Sequence, residues 1–395
     1  MDQQKKPSWK LHPKTLEIHG GGSLDDTELR EGVSRVAAYR MGSMERSRRL
    51  FAGEERGFVY SRIGNKTVSA LERRLASMEG AEAGLCTDCG MGAIDLLSGY
   101  LAHGGEIVSS NRVYGGTFDL FAHILPLFGI KTFFVENPHD LSAWEKSITK
   151  KTKFLYVESP SNPTLDVFDI RALARLAHSH GIPLIVDSTL ATPALNLPIQ
   201  QGADFVIHSI SKYMGNGEII GGVILGKTSL IEPLHDSHFR ERGHCMSADV
   251  AAITLANIES LTGRMKEHCK NANYIAKFLS NHPKVNQVFY PTFGKRAGIN
   301  KKLMPKGFGG LLSFEVKGGL EAARIVLENL ELFWHAPNIG ESRSLILCPW
   351  VTTHGVMNDE EKLKAGITPG TLRLSMGRED PRDPKIDLNK GLKLI

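Results

Sequence analysis

Six short apolar runs recur between residues 106 and 225: Glu106 to Ser109, Lys131 to Val135, Phe154 to Val157, Leu184 to Val186, Phe205 to Ile207 and Gly222 to Leu225. Each is partly β-branched and short enough for a strand buried on both faces. Helical patterns lie between several of them, such as DIRALARLAHSHG, which Gly181 ends. That alternation predicts a mostly parallel sheet covered by helices on both sides.

The strand ends carry the chemistry. Open α/β sheets bind ligands beyond the carboxyl ends of their strands. Phe205 to Ile207 is followed by Ser209, Ser211 and Lys212 and then by the glycine-studded MGNGEIIGGVILG. Val157 leads to Glu158, Ser159, Ser161 and Asn162, and Val186 to Asp187, Ser188 and Thr189. Upstream, Cys89, Gly90 and Met91 open a helical stretch whose first N–H groups favour an anion. Taken singly, Lys212 is a surface lysine after a core strand, Tyr114 and Asn162 are turn residues, and Arg373 is half of a surface ion pair. Together they place a carboxylate, an amine suited to Schiff-base formation and an anion cradle on one sheet edge. Pyridoxal phosphate needs that set.

Composition narrows the partners. At 395 residues, with 41% hydrophobic and 23% charged side chains, the chain can hold two domains with sizeable cores. A net charge of +5 suits anionic small molecules and lacks the dense basic stripe of a nucleic-acid footprint. The short cluster Arg46, Arg48 and Arg49 is flanked by Glu45, Glu54 and Glu55 and is expected to be a solvated or subunit-contact face. No long apolar span and no leader-like head are present, so the expectation is a cytoplasmic protein without a membrane partner. Five cysteines argue against a disulfide framework. Cys86 and Cys89 form a lone C-x-x-C, with no second pair to make a zinc site, so no metal is expected.

Residues 1–60 form a polar arm with Gly20, Gly21 and Gly22, expected to contact a neighbouring subunit. VSALERRLASME is an amphipathic helix stopped by Gly80. A cofactor-binding domain is expected over 61–260 and a smaller α+β domain over 261–395. A long helix is predicted from about Asp249 to Leu279, and LLSFEVK and TLRLSMG alternate as antiparallel strands with one solvated face.

Eight fragments carry a family resemblance in order: YSRIGNKT, CGMGAI, VYGGT, ESPSNPT, VDSTLATP, HSISKY, GESRSL and TLRLSMGRED. From about Tyr60 to Asp380 the chain resembles the Cys/Met-metabolism family of pyridoxal-phosphate enzymes: cystathionine synthases and lyases, homoserine-ester sulfhydrylases and methionine γ-lyase. The resemblance implies a fold-type-I, aspartate-aminotransferase-like α/β fold with a smaller C-terminal α+β domain, and pyridoxal 5'-phosphate as cofactor. It implies that Lys212 bonds the cofactor and shuttles protons, and that Asp187 faces the pyridine nitrogen. Gly90, Met91, Ser209 and Ser211 match the phosphate cradle, which Tyr60 and Arg62 reach from a neighbouring subunit of a dimer or tetramer. Tyr114 matches the ring-stacking tyrosine placed as acid or base, and Asn162 the asparagine facing the ring oxygen. Arg373 and Ser344 match the residues at the substrate α-carboxylate.

Departures bear on the reaction. Lys66 replaces the usual proline, Cys89 the usual serine, and the stretch after Lys212 and Tyr213 reads GNGE from Gly215, where the family has a glycine–histidine pair. Gly116 stands where methionine γ-lyases have a cysteine, while NIGESRSL followed by TTH resembles the homoserine-ester sulfhydrylases. Arg343 and Trp350 are unusual for either, and an Arg343 near the pocket favours a substrate with an added negative or polar group, such as a succinyl ester. The expected reaction is γ-replacement on a homoserine-derived amino acid by a thiol or sulfide. γ-Elimination to a 2-oxo acid and ammonia is the alternative, and a non-catalytic binding homologue is the reading from another class. The S-x-x-K of Ser209 and Lys212 lacks the later K-T-G of a serine hydrolase, and no G-x-G-x-x-G marks a nicotinamide enzyme.

Overall fold

The computed structural model describes residues 10–22, 30 and 32–395. The parts of the N-terminal arm at 1–9, 23–29 and 31 lie outside the described residues. A seven-stranded sheet is built from β1 (Ala83–Thr87), β2 (Glu106–Ser110), β3 (Lys131–Val135), β4 (Thr152–Glu158), β5 (Leu184–Asp187), β6 (Phe205–Ser209) and β7 (Gly222–Gly226), in the order β1-β7-β6-β5-β4-β2-β3. The five strands from β6 to β3 are parallel, and β7 and β1 run against their neighbours. The expected sheet is therefore present, with an antiparallel edge made by β7 and by β1, whose AGLCT is too poor in β-branched residues to stand out.

Alternation along each strand divides the core. Leu155, Val157, Val186 and Val206 face one apolar cluster, while Phe154, Tyr156, Ile185, Phe205 and Ile207 face the other. Helices fill both sides as their sequences require. The helix Lys66–Glu79 starts where the Asn65 side chain accepts the N–H groups of Thr67 and Val68, and stops at Gly80, whose φ of 77° suits glycine. The helix Ile170–Ser179 is capped by Asp169 and buries Ile170, Leu173 and Ala177.

A second sheet contains β8 (Val285–Phe289), β9 (Leu311–Val316), β10 (Trp334–His335), β11 (Leu345–Leu347) and β12 (Thr371–Ser375), in the order β10-β11-β12-β9-β8. β9 and β12 pair antiparallel as expected, but neither has a solvated face: every residue of β12 is buried. Its polar side, Thr371, Arg373 and Ser375, is turned inward, and Ser313 of β9 donates to the carbonyl of Pro163 in the first sheet's territory at 2.8 Å. The single long helix is two, Ala248–Ile258 and Leu261–Ser280. Arg264, 4% exposed, holds the break by donating to the carbonyl of Asn257 at 2.9 Å and to Ser260 Oγ at 3.1 Å.

The first described part of the arm packs on its own chain. The helix Pro13–His19 buries Glu17, which accepts the N–H of Thr262 at 2.8 Å, and Arg74 donates to the carbonyl of Glu17 at 2.7 Å. Further on, Ala38 bridges Tyr60.

Candidate active site

Parallel pairing brings three strand ends to one edge. Glu158, the last residue of β4, sits opposite Asp187, the last of β5, which sits opposite Ile207 of β6. Lys212 follows in the turn after β6, half-buried, with Nζ donating to Asn338 Oδ1 at 3.1 Å. Burial, with the guanidinium of Arg373 adding to it, lowers the Lys212 pKa to about 8.

Asp187 is 7% exposed and accepts the Thr189 N–H at 2.9 Å and the Tyr156 hydroxyl at 3.4 Å. Burial raises its pKa. Among the described residues no cation lies within ion-pair distance, so a cationic ring nitrogen against Asp187 would restore the charged state that burial disfavours.

The residues expected to form an anion cradle pack closely. Gly90 opens the helix Gly90–Leu101 against Ser209, and a Cβ on Gly90 would stand 2.7 Å from Ser209 Cβ. Met91 follows in the same first turn, and Cys89 caps the helix through its sulfur, which accepts the Gly92 N–H at 3.2 Å. This thiol does the capping job of a serine hydroxyl. Ser211 Oγ is engaged with the backbone of Gly221, accepting its N–H at 3.0 Å. Cys86 lies buried in β1, and the described residues contain no cluster of metal-binding side chains.

Two more loops converge. Tyr114 precedes the helix Gly115–Asp119, and its N–H meets Glu158 Oε2 at 2.7 Å. Gly116 lies under its ring: an added Cβ would come within 2.6 Å of Tyr114 Cε1. Asn162 is buried, and its Oδ1 accepts from Arg373 Nη1 at 3.2 Å. Arg373 is 2% exposed, its Nη2 donates to the carbonyl of Asn338 at 3.4 Å, and its Nε has no partner. No carboxylate pairs with it among the described residues, and burial lowers its pKa to about 10. A buried guanidinium left without an anion costs several kcal/mol, and a substrate carboxylate would remove that cost.

Not every expected residue joins this cluster. Tyr60 is 46% exposed, with the Arg62 guanidinium 5.7 Å from its ring centre, and Arg62 donates to the carbonyl of Arg240, away from Lys212. Ser344 is fully buried, its hydroxyl donating to Glu379 at 2.9 Å and accepting the Gly377 N–H at 3.0 Å. It lies three positions along from Leu347, the residue opposite Arg373. The residue that touches both Lys212 and Arg373 is Asn338, which the sequence reading passed over. Its signal was the glycine two places on: Gly340 has φ 85°, and a Cβ there would stand 2.5 Å from the Tyr213 nitrogen, so this loop must press against the lysine turn. Arg343 stacks on Trp334 at 5.1 Å and is largely exposed, and Trp350 packs against the Lys362 ammonium at 4.6 Å.

Residues 14–393 match the model of the Cys/Met metabolism PLP-dependent enzymes, and the chain belongs to that family. It is 38% identical to an L-methionine γ-lyase of Fusobacterium nucleatum over 96% of this chain and 98% of the relative. It is 35% identical to an O-acetyl-L-homoserine sulfhydrylase of Leptospira meyeri over 97% of each chain. Among solved structures, a Campylobacter jejuni protein assigned as an O-acetylhomoserine (thiol)-lyase, with a pyridoxyl-lysine phosphate, superposes with a TM-score of 0.93 at 33% identity, over 97% of this chain and all of that one. Cystathionine γ-lyase of Lactobacillus plantarum, complexed with L-serine, gives a TM-score of 0.90 at 32% identity, over 97% and 99%. The protein is thus a PLP-dependent enzyme of sulfur amino-acid metabolism, with the mostly parallel fold these relatives share.

Proposed function

We propose that the enzyme carries out γ-replacement on an O-acylhomoserine, exchanging the acyloxy group for a thiol or sulfide. The observation that supports this reading is Gly116, whose missing side chain leaves the Tyr114 ring in the place that the cysteine of methionine γ-lyases would need. An ester leaving group and an incoming thiol would then meet the tyrosine hydroxyl in place of a cysteine.

Lys212, Asp187 and the cradle of Gly90, Met91, Ser209 and Ser211 would hold the cofactor, with Tyr114 over the ring, Asn162 at its oxygen, and Tyr60 and Arg62 of the partner subunit at the phosphate. When bound, pyridoxal phosphate supplies an electron sink for negative charge at Cα. Arg373 grips the α-carboxylate through two parallel hydrogen bonds. Lys212 Nζ, with a pKa of about 8, is neutral often enough near neutral pH to take a proton from Cα and then from Cβ. Asn338 Oδ1, 3.1 Å from Nζ, aims that amine. The Tyr114 hydroxyl gives a proton to the departing group as the Cγ–O bond breaks. A Cγ–S bond then forms, the thiol's proton restores the Tyr114 hydroxyl, and the protons taken from Cβ and Cα are returned to those carbons, leaving a thioether (or, with sulfide, homocysteine) and a carboxylic acid.

γ-Elimination is the second reading, favoured by the 38% identity to a methionine γ-lyase. There no thiol adds at Cγ; that carbon takes up a proton instead, and water hydrolyses the released unsaturated amine to 2-oxobutyrate and ammonia, with the γ-group set free. The purified enzyme, supplied with O-acetylhomoserine, O-succinylhomoserine, cystathionine and methionine, with and without sulfide or cysteine, is expected to form homocysteine or cystathionine from an ester plus thiol. Rapid 2-oxobutyrate from methionine without any thiol would transfer the assignment to elimination.

A further inference from the structure

Glu158 ends β4 and is 4% exposed. Its two carboxylate oxygens each accept one backbone N–H: Oε2 that of Tyr114 at 2.7 Å, Oε1 that of Asn162 at 2.9 Å. The donors belong to different loops, one entering the helix Gly115–Asp119 and the other turning away from β4. No lysine, arginine or histidine lies within ion-pair distance of this carboxylate among the described residues. Its register neighbour is another acid, Asp187, and burial together with that neighbour pushes the Glu158 pKa well up.

Fold stability alone gives little reason to keep such a group. A buried acid without a counter-ion beside a second buried acid is unfavourable, and two loop N–H groups can be served by neutral acceptors or water. What a carboxylate adds is geometry. Its oxygens sit a fixed distance apart in one plane, so the backbones of Tyr114 and Asn162 are locked to each other and to the end of β4. The same lock extends to Arg373, whose Nη1 donates to Asn162 Oδ1 at 3.2 Å.

We propose that Glu158 is a positioning residue, which sets the Tyr114 ring, Asn162 and through it Arg373 in register around the cofactor. This rests on the reading that Tyr114 and Asn162 touch the cofactor. Glu158→Gln keeps one acceptor oxygen and turns an NH2 toward the other N–H, so one of the two contacts is lost with almost no change of volume. In the full-length enzyme the variant is expected to bind pyridoxal phosphate roughly ten-fold more weakly, the loss of one buried hydrogen bond. The visible circular dichroism band of the bound cofactor should shrink, kcat should fall more than KM, and the melting temperature of the apo-protein should change little. Glu158→Asp, which keeps the carboxyl group but reaches only one loop, should show the same pattern if the glutamine variant does not fold.

Wild-type cofactor affinity and dichroism in either variant overturn the proposal, as does a loss of apo-protein stability with the cofactor band intact. Tyr114→Ala and Asn162→Ala separate this outcome from a wrong site. If neither alters cofactor affinity or dichroism, the reading of those two residues fails, whatever Glu158 does.

Discussion

Lys212 and Arg373 are both cationic side chains drawn away from water, and the guanidinium acts on the amine. The lysine's pKa is lowered first by burial and then by the guanidinium. Because a lowered lysine pKa means the neutral amine appears at lower pH, capture of pyridoxal phosphate by the apo-protein should speed up as pH rises and level off above about 8, well below the 10.5 of an ordinary lysine. Arg373→Leu removes the smaller contribution, so the midpoint of that profile should move upward. The same substitution should raise KM for any amino-acid substrate on the order of 30-fold or more, since a buried charge pair is lost. Stopped-flow absorbance at several pH values, with steady-state kinetics, checks both. An unchanged midpoint in the variant would mean that the two groups do not sense each other.

At the scale of elements, the residues at the ends of β4, β5 and β6 were legible in the sequence because a short apolar run followed by acids and hydroxyls has a physical meaning in a parallel sheet. Lys212, Asp187 and Asn162 followed from that. The second sheet was harder. TLRLSMG looks half-polar, and alternation usually signals water on one side, yet here the polar side faces the other sheet and carries Arg373. Nothing local distinguishes a solvated face from one that fills a site. Asn338 was missed for a related reason, since a loop residue gains its role from what packs on it. Ser344 shares the GESRSL fragment with Gly340, but its hydroxyl is taken up by Glu379. The break between Ile258 and Leu261 was also invisible to periodicity, because Arg264 holds it through contacts that include the carbonyl of Tyr213 at 2.5 Å. Removing that side chain strands buried carbonyls next to the lysine turn. Arg264→Met is expected to lower stability by about 2–4 kcal/mol, measured by urea denaturation of the apo-protein. A change below about 0.5 kcal/mol would show that the break holds itself.

Across the whole molecule, the chain alone does not bring Tyr60 and Arg62 to Lys212, and both remain at the surface. If they complete the cradle of a second copy, two inactive chains can repair each other. Co-expressed Lys212→Ala and Arg62→Ala chains should regain up to about a quarter of wild-type activity, because half of randomly mixed dimers would contain one site with both residues intact. Activity no greater than that of the separate variants would place those two residues outside any shared site. The single-chain geometry has a further consequence. Lys212 is carried by the larger sheet and Arg373 by the smaller, and one asparagine spans them. The gap works as a gauge whose width is set by how the two halves are docked. If both jaws hold one substrate, as proposed, a molecule with its amine and acid on the same carbon would reach both, whereas a simple amine would leave one jaw closing on nothing.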